Sequence, residues 1–462
     1  MDYIPKINLK RQLPCLDELL NHSSLTYYIE AYSLDRVKNK AREALEDIET
    51  KIDNDLINSI NIDEIVFSII NKLSKDFSLS LKPVINATGI VLNQYLGRAP
   101  LSEEIISHIV NTSVGYCNLD YDLTRGTKIN RLFLLNKLIC QITGAESAIV
   151  VNNNAAALLL IANTFAKDKE IVISRGEIVE IEDEFRITDI IYAANSELVE
   201  VGTTNRSLLK DYQTSISENT SIILKVHTSS YYIKGYTSKV ELFALVDLAK
   251  TKNLLSVVDI GTGLLIDLSK YGLPYEPTID KTLKTGVDLI TFSGDKLFGG
   301  PQAGIILGKK EYIDQLAKNP IIRTLRPDKF TLSALEATLQ VYLNPEKSIE
   351  NIPTLKMLTK KIIEIENDAN LIYEEIKHFY TIECGVKKHF SAVGGNILPE
   401  VNLPTYVVWI KHKQLDSCTL HNKFLDHSVV TLIKDNMVLI DPRCFIKRDF
   451  KLLSMIFEQV FK

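Results

Sequence analysis

The sequence predicts an α/β protein whose central, mainly parallel sheet spans residues 82–343, with a helical domain (1–75) before it and an α+β domain (350–462) after it. Three observations carry this expectation. Short β-branched runs alternate with helical stretches through the middle of the chain. The first 75 residues carry apolar residues at helical spacing. Beyond residue 350, helical stretches mix with runs such as TYVVWI and MVLI.

In the N-terminal part, LPCLDELL repeats leucine at 13, 16 and 20. Residues 33–48 set Leu34, Val37, Ala41, Leu45 and Ile48 on one stripe, with Ser33 placed as an N-cap. NIDEIVFSIINKL adds a stripe through Ile62, Ile65, Ile69 and Leu73, and the polar SKDFSLSLKP (74–83) reads as a linker. The pattern fits a small helical domain and, equally, a helical arm packed on the main body. The core then runs through EIVISR (170–175), ELVEV (197–201), SIILKVH (221–227), LLSVVDI (254–260), DLITFSG (288–294) and AGIILG (303–308), with VELFALVDLAKTKN at helical period between two of them. Near-continuous apolar strands alternating with helices predict a sheet covered on both faces. In such sheets ligands sit beyond the carboxyl ends of the strands. The helical segment TLSALEATLQVYL (331–343) carries Ser333 and Glu336 at capping-box spacing.

At 462 residues the chain is too long for one ordinary core. Its 45% hydrophobic and 24% charged residues exclude disorder, and a net charge of −5 predicts neither a nucleic-acid partner nor a membrane surface. The opening MDYIPKINLKRQLPC has no apolar core of a secretion signal, and AAALLLIANTFA (155–166) is too short to span a bilayer, so a cytoplasmic location is expected. Six scattered cysteines without a CxxC pair fit reduced thiols. The histidines form no HExxH and no ligand spacing with cysteine, so no metal is expected.

Several chemistry-bearing positions fall just after core strands. Asp259 ends LLSVVD, Lys296 follows DLITFSGD, Val151 opens into NNNAAALLL, and His227 ends SIILKVH. A strand-end aspartate with a strand-end lysine 37 residues later suits a pyridoxal phosphate site. The lysine would form the Schiff base, and the carboxylate would keep the pyridine nitrogen protonated so that the ring acts as an electron sink. Asn152, Asn153, Asn154 and Ala155, at the start of a helix, would cradle the phosphate with backbone N–H groups. Taken singly, a strand-end aspartate is more often a cap and SGDK more often a loop. Nucleotide readings fare worse, because GTGLLIDLSKYG lacks the third glycine of a dinucleotide fingerprint and GDKLFGG is not a P-loop.

Beyond these positions, VINATGIVL, LGRAP, VNNNAAALLL, SRGEIVEI, VEVGTTNR, LKVHTS, LLIDLSKYGLP and SGDKLFGGPQAGIILGKK together closely resemble the bacterial L-seryl-tRNA(Sec) selenium transferases, from LPCLDELL to about Ile410. The resemblance implies a pyridoxal-phosphate enzyme of fold type I, like aspartate aminotransferase. It implies conversion of seryl-tRNA(Sec) to selenocysteinyl-tRNA(Sec) with selenophosphate, a homodecamer built of dimers, and an N-terminal domain that holds the tRNA. Residue by residue, Lys296 matches the Schiff-base lysine, Asp259 the partner of the pyridine nitrogen, and Asp295 the acidic neighbour needed for activity. Arg98, Arg323 and Arg326 match the arginines that receive the selenium donor's phosphate-like group, a dianion suited to several guanidinium forks. His227 is placed near the ring or paired with Asp259, with a buried core histidine as the equal reading.

Some motifs depart from the family's. HTNLGRA appears as NQYLGRA (93–99) and RGxRGSR as RGTKINR (125–131). EIGGSFRIPD appears as EIEDEFRITD (180–189), with Glu182 and Asp183 replacing glycines. VGGGSLP appears as VGGNILP (393–399), and IGRI…LLLDLRT as VTLI…MVLIDPRC (430–444). Such changes alter backbone freedom and local charge around the substrate. The second reading is therefore a pyridoxal-phosphate lyase or transferase acting on a small phosphorylated amino compound without tRNA. A third, a non-catalytic tRNA-binding or assembly protein on the same scaffold, has no use for an intact Asp295–Lys296 pair.

Overall fold

The computed structural model describes residues 6–57, 59–77, 79–182 and 185–461. It separates into two compact units, Met1–Pro83 and Val84–Lys462.

The first unit is helical: Lys6–Arg11, Leu16–Leu20, Ser23–Tyr32, Leu34–Asp53 and Ile62–Phe77. Its core takes Val37, Ala41, Ile65, Ile69 and Leu73 from the expected stripes, together with Leu19 and Leu25. Leu34 and Ile62, placed on those stripes by spacing, are instead exposed at the helix starts. Ser33 does precede its helix, but its backbone is left-handed (φ 88°) and its side chain makes no capping bond. The first residues of the expected linker, SKDF, continue the last helix.

In the second unit, seven strands run in the order Ser147–Val151, Gly304–Gly308, Leu289–Ser293, Leu255–Gly261, Thr220–Val226, Glu170–Ser174, Glu197–Val201. All are parallel except Gly304–Gly308, which lies antiparallel to both its neighbours. The period-2 geometry of strands explains the two-sided burial. Val258, Ile290 and Ile305 pack on one face with Leu332, Leu335 and Leu339 of the helix Lys329–Tyr342. Val257, Leu289 and Ile306 pack on the other with Ala157, Leu160 and Ile161 of the helix Asn154–Phe165.

The expected capping box at Ser333 is not formed. The helix starts four residues earlier, where the Asp328 carboxylate accepts the Thr331 N–H at 2.8 Å. Ser333 is interior to the helix and shares a 2.8 Å hydrogen bond with the Thr112 hydroxyl.

A second sheet has the order Leu432–Lys434, Met437–Ile440, Ile397–His412, Ile382–Gly394, Ile90–Leu92. Its last strand comes from the beginning of the unit, and Ile85–Asn86 likewise pairs with Val429–Val430. The chain from 85 to 92 therefore belongs structurally with the C-terminal strands. Buried Asp441 locks this joint. Its Oδ2 accepts the Ser391 hydroxyl at 2.6 Å, and its Oδ1 accepts the Thr405 hydroxyl at 3.0 Å and the Arg443 N–H at 2.9 Å. A Cβ on Gly89, at φ 74°, would stand 2.1 Å from Asp441 Oδ2, so only glycine fits there. Among the described residues, no helix is long and apolar enough to cross a membrane, and no cluster of side chains has metal-ligand composition.

Candidate functional site

The strand Leu255–Gly261 delivers Asp259 to its carboxyl end, where the residue is 4% exposed. Asp259 Oδ1 accepts the Asn154 side-chain amide and the Gly261 N–H, both at 2.9 Å. Burial pushes the carboxyl's pKa up, while the Asn154 bond and the charge of Lys296 pull it down. A buried carboxylate held by two neutral donors on one oxygen is one that a cationic N–H would satisfy. Polar atoms that lack hydrogen-bond partners among the described residues lie alongside. Asn154 Oδ1 and Thr262 Oγ1 are both buried.

The strand Leu289–Ser293 ends in a closed loop. The Gly294 N–H donates to the Ala303 carbonyl at 2.8 Å and Gly300 N–H to the Gly294 carbonyl at 2.8 Å. The Gly299 N–H reaches back to the Lys296 carbonyl at 2.9 Å, with Gly299 at φ 74°. The loop is thus fixed at both ends around a half-buried Lys296. Asp295, 7% exposed, accepts the Ser293 hydroxyl at 3.1 Å on Oδ1. Its Oδ2 accepts Arg98 Nη1 at 3.0 Å. Arg98 arrives on a turn in which Asn93 caps Tyr95 and accepts the Arg98 N–H at 2.9 Å through its carbonyl. Arg98 itself holds a left-handed backbone (φ 57°), uncommon for an arginine and typical of functional loops.

At the start of the helix Asn154–Phe165, the Asn153 side chain accepts the Ala156 N–H at 2.8 Å. The backbone N–H groups of Asn154 and Ala155 then have no intrahelical acceptor and point with the helix dipole toward an incoming anion. Asn154 serves twice, because its side chain is the one that holds Asp259. That link was invisible in the sequence, where the asparagines read only as a phosphate loop. Orphaned buried polar atoms, a capped helix start and a buried carboxylate near an amine together fit pyridoxal phosphate. Lys296 and Asp259 would hold its ring, and Asn153, Asn154 and Ala155 its phosphate.

His227 lies beside Asp259 through the backbone, its N–H donating to the Asp259 carbonyl at 2.8 Å. Its ring pairs elsewhere: Nε2 is 2.8 Å from Oε2 of Glu276, itself 5% exposed. Of the readings open for His227, a side-chain pairing with Asp259 is not formed; the ring pairs instead with Glu276, a loop residue that no spacing marks. Arg323 and Arg326 line a cavity of about 420 Å³ with Asp120, Lys128 and Asn130. Arg326 Nε is buried there without a hydrogen-bond partner among the described residues. The intervening Leu325 carbonyl accepts the Asn152 N–H at 2.9 Å, tying this segment to the asparagine loop. The arginines thus occupy two places, with Arg98 on Asp295 and the other two around that cavity. Of the two acids that replace glycines in EIEDEFRITD, Asp183 lies outside the described residues.

Comparison with known proteins follows the same line. Residues 84–446 match the model of the family described as L-seryl-tRNA selenium transferase. The L-seryl-tRNA(Sec) selenium transferase of Alkaliphilus oremlandii is 42% identical over 456 residues, 97% of this chain and 98% of that protein. The enzyme of the same name from Clostridium botulinum strain 657 is 41% identical over 99% of this chain and 100% of its own length. Among solved structures, a D-glucosaminate-6-phosphate ammonia-lyase superposes with a TM-score of 0.57 at 16% identity, covering 84% of this chain and 97% of that one. At that identity the likeness speaks for the fold.

Proposed function

Because the chain belongs to the L-seryl-tRNA selenium transferase family, we propose that it converts L-seryl-tRNA(Sec) to L-selenocysteinyl-tRNA(Sec) with pyridoxal 5'-phosphate as cofactor and selenophosphate as selenium donor. The observation that carries this is buried Asp259, held by Asn154 beside the charge of Lys296 at the carboxyl ends of adjacent strands. Pyridoxal phosphate, when bound, supplies an electron sink for charge developing at the substrate α-carbon.

The chain's own groups do the rest. Asp259 and Lys296 would hold the cofactor ring, the Asp259 carboxylate keeping its nitrogen protonated. Lys296 Nζ is also the base that would take up the substrate α-proton. Asp295, oriented by Ser293 and Arg98, serves the departing β-hydroxyl. Arg98, Arg323 and Arg326 offer guanidinium forks to the donor's anionic oxygens. The β-hydroxyl leaves as water, selenium bonds to the β-carbon, and water cleaves the selenium–phosphorus bond to release phosphate. The same reading extends to a decamer built of dimers, a cytoplasmic location, and a tRNA-holding role for the helical N-terminal part.

Relatives that match over 97% and 99% of the chain, N-terminal helices included, favour this over a lyase or transferase for a small phosphorylated amino compound. The test is direct. Purified protein should carry a yellow chromophore that borohydride bleaches, absent from Lys296→Ala, and should retain seryl-tRNA(Sec) on a filter. A colourless wild-type protein, or one that binds no seryl-tRNA(Sec), would contradict the proposal.

A further inference from the structure

Two loops from distant parts of the sequence, NQYLGR (93–98) and VGGNILP (393–399), close around one cavity of about 260 Å³. That volume lies below the roughly 300–1,000 Å³ of pockets that hold whole small ligands, so it suits one ring of a larger molecule. Gly394 lets this loop lie directly on the strand Ile90–Leu92, since a Cβ there would stand 2.4 Å from Ile90 Cγ2 and 2.8 Å from the Leu92 carbonyl oxygen. Apolar Ile397 and Leu398 form one wall.

At the rim stands Tyr95, 87% exposed, its ring offered to solvent with nothing packed over it. Next to it is the half-buried amide of Gln94, which has no hydrogen-bond partner among the described residues. An unstacked aromatic face beside an uncommitted amide is the chemistry that grips a nucleobase: stacking supplies affinity, and a bidentate amide reads the edge of adenine.

The cavity's position gives the same answer. One wall runs directly into Arg98, which holds Asp295 next to Lys296. The opposite wall is tied through the Leu398 N–H to the Ser229 carbonyl at 2.9 Å, two residues from His227. Leu398 takes a left-handed backbone (φ 51°) to do so, following Asn396 (φ 53°), strain that the surroundings must hold in place. In an aminoacyl-tRNA the amino acid is esterified to the 3'-terminal adenosine, so a serine placed at Lys296 brings that nucleoside immediately beside the lysine.

We propose that this cavity is the subsite for the 3'-terminal adenine of the aminoacyl-tRNA substrate, with Tyr95 stacking on the base and Gln94 reading its edge. The inference rests on the proposed use of seryl-tRNA(Sec). It is tested on the holoenzyme with two non-hydrolysable probes, 3'-serylamido-3'-deoxyadenosine and its cytidine counterpart, by calorimetric titration. Wild type should bind the adenosine probe about tenfold tighter or more. Tyr95→Ala should weaken it by roughly 5- to 150-fold, Tyr95→Phe should restore it, and Gln94→Ala should narrow the preference for adenosine. Tyr95 is a surface residue, so unchanged thermal midpoints should accompany these losses. Equal affinity for both probes, or no effect of Tyr95→Ala, would overturn the subsite even if the wild type turns over seryl-tRNA(Sec). A wild type that does not act on seryl-tRNA(Sec) at all would overturn the subsite and the proposed function together.

Discussion

Gly304→Ala tests how the strand Gly304–Gly308 shapes the site. Gly304 opens that strand opposite Val151, the last residue before the asparagine loop. A Cβ at this position would stand 2.1 Å from the Asn153 carbonyl oxygen, 2.4 Å from its carbon and 2.9 Å from Val151 Cγ2. The nearest atoms are backbone, so no rotamer change relieves the clash, and Asn153 must retreat by roughly 1.3 Å to reach ordinary contact.

Asn153 caps the helix whose first N–H groups are proposed to hold the cofactor phosphate. A weakened cap costs about 0.5–2 kcal/mol and overpacking about 1–3 kcal/mol, so a stability loss of roughly 2–4 kcal/mol is expected. Displacements of about 1 Å at a reacting centre cost on the order of 100-fold in rate. Urea denaturation with equilibrium titration of cofactor-free protein by pyridoxal phosphate measures both effects. The variant should fold, melt earlier and bind the cofactor at least tenfold more weakly. Destabilisation with unchanged cofactor affinity would refute the assignment of this helix start to the phosphate.

Three further outcomes follow from the geometry. Burial raises the Asp259 carboxyl's pKa, so its favourable share of folding is full at acid pH and lost as pH rises through the folded pKa. Cofactor-free Asp259→Asn keeps the accepting oxygen, so it should match or exceed wild-type stability at neutral pH, lose that advantage in acid, and be ~100-fold slower or worse in turnover; denaturation midpoints across pH and steady-state rates check this. Arg98→Lys keeps the charge but loses the planar fork, and should raise the KM for selenophosphate about tenfold with cofactor affinity unchanged, measured by initial rates and titration. Asp441→Ala removes the acceptor for Ser391, Thr405 and the Arg443 N–H and leaves the Arg443 guanidinium, 2% exposed, without its carboxylate neighbour, so the urea midpoint should fall by the equivalent of about 3–5 kcal/mol.

The parallel core was legible because its central strands are almost wholly buried and therefore read as near-continuous apolar runs, and Asp259 and Lys296 stand where such strands end. Side-chain partnerships across the sheet were not legible. Nothing in NNNAAA marks Asn154 as the residue 2.9 Å from Asp259, and nothing in YEPT marks Glu276 as the partner of His227. Ser333 and Glu336 have capping spacing although they lie inside the helix, while Asp328, next to Pro327, does the capping. The pairing of Ile90–Leu92 with the C-terminal sheet joins residues some 300 apart, and period-2 patterns carry no information about which distant strand a segment will meet.

Single-turnover conversion of radiolabelled seryl-tRNA(Sec) by holoenzyme in the presence of selenophosphate, with the esterified amino acid identified after mild hydrolysis, tests the proposed reaction itself. Selenocysteine on the tRNA is expected with wild-type protein and unchanged serine with Lys296→Ala. Serine left intact by a wild-type enzyme that carries its cofactor and binds the tRNA would contradict that reaction.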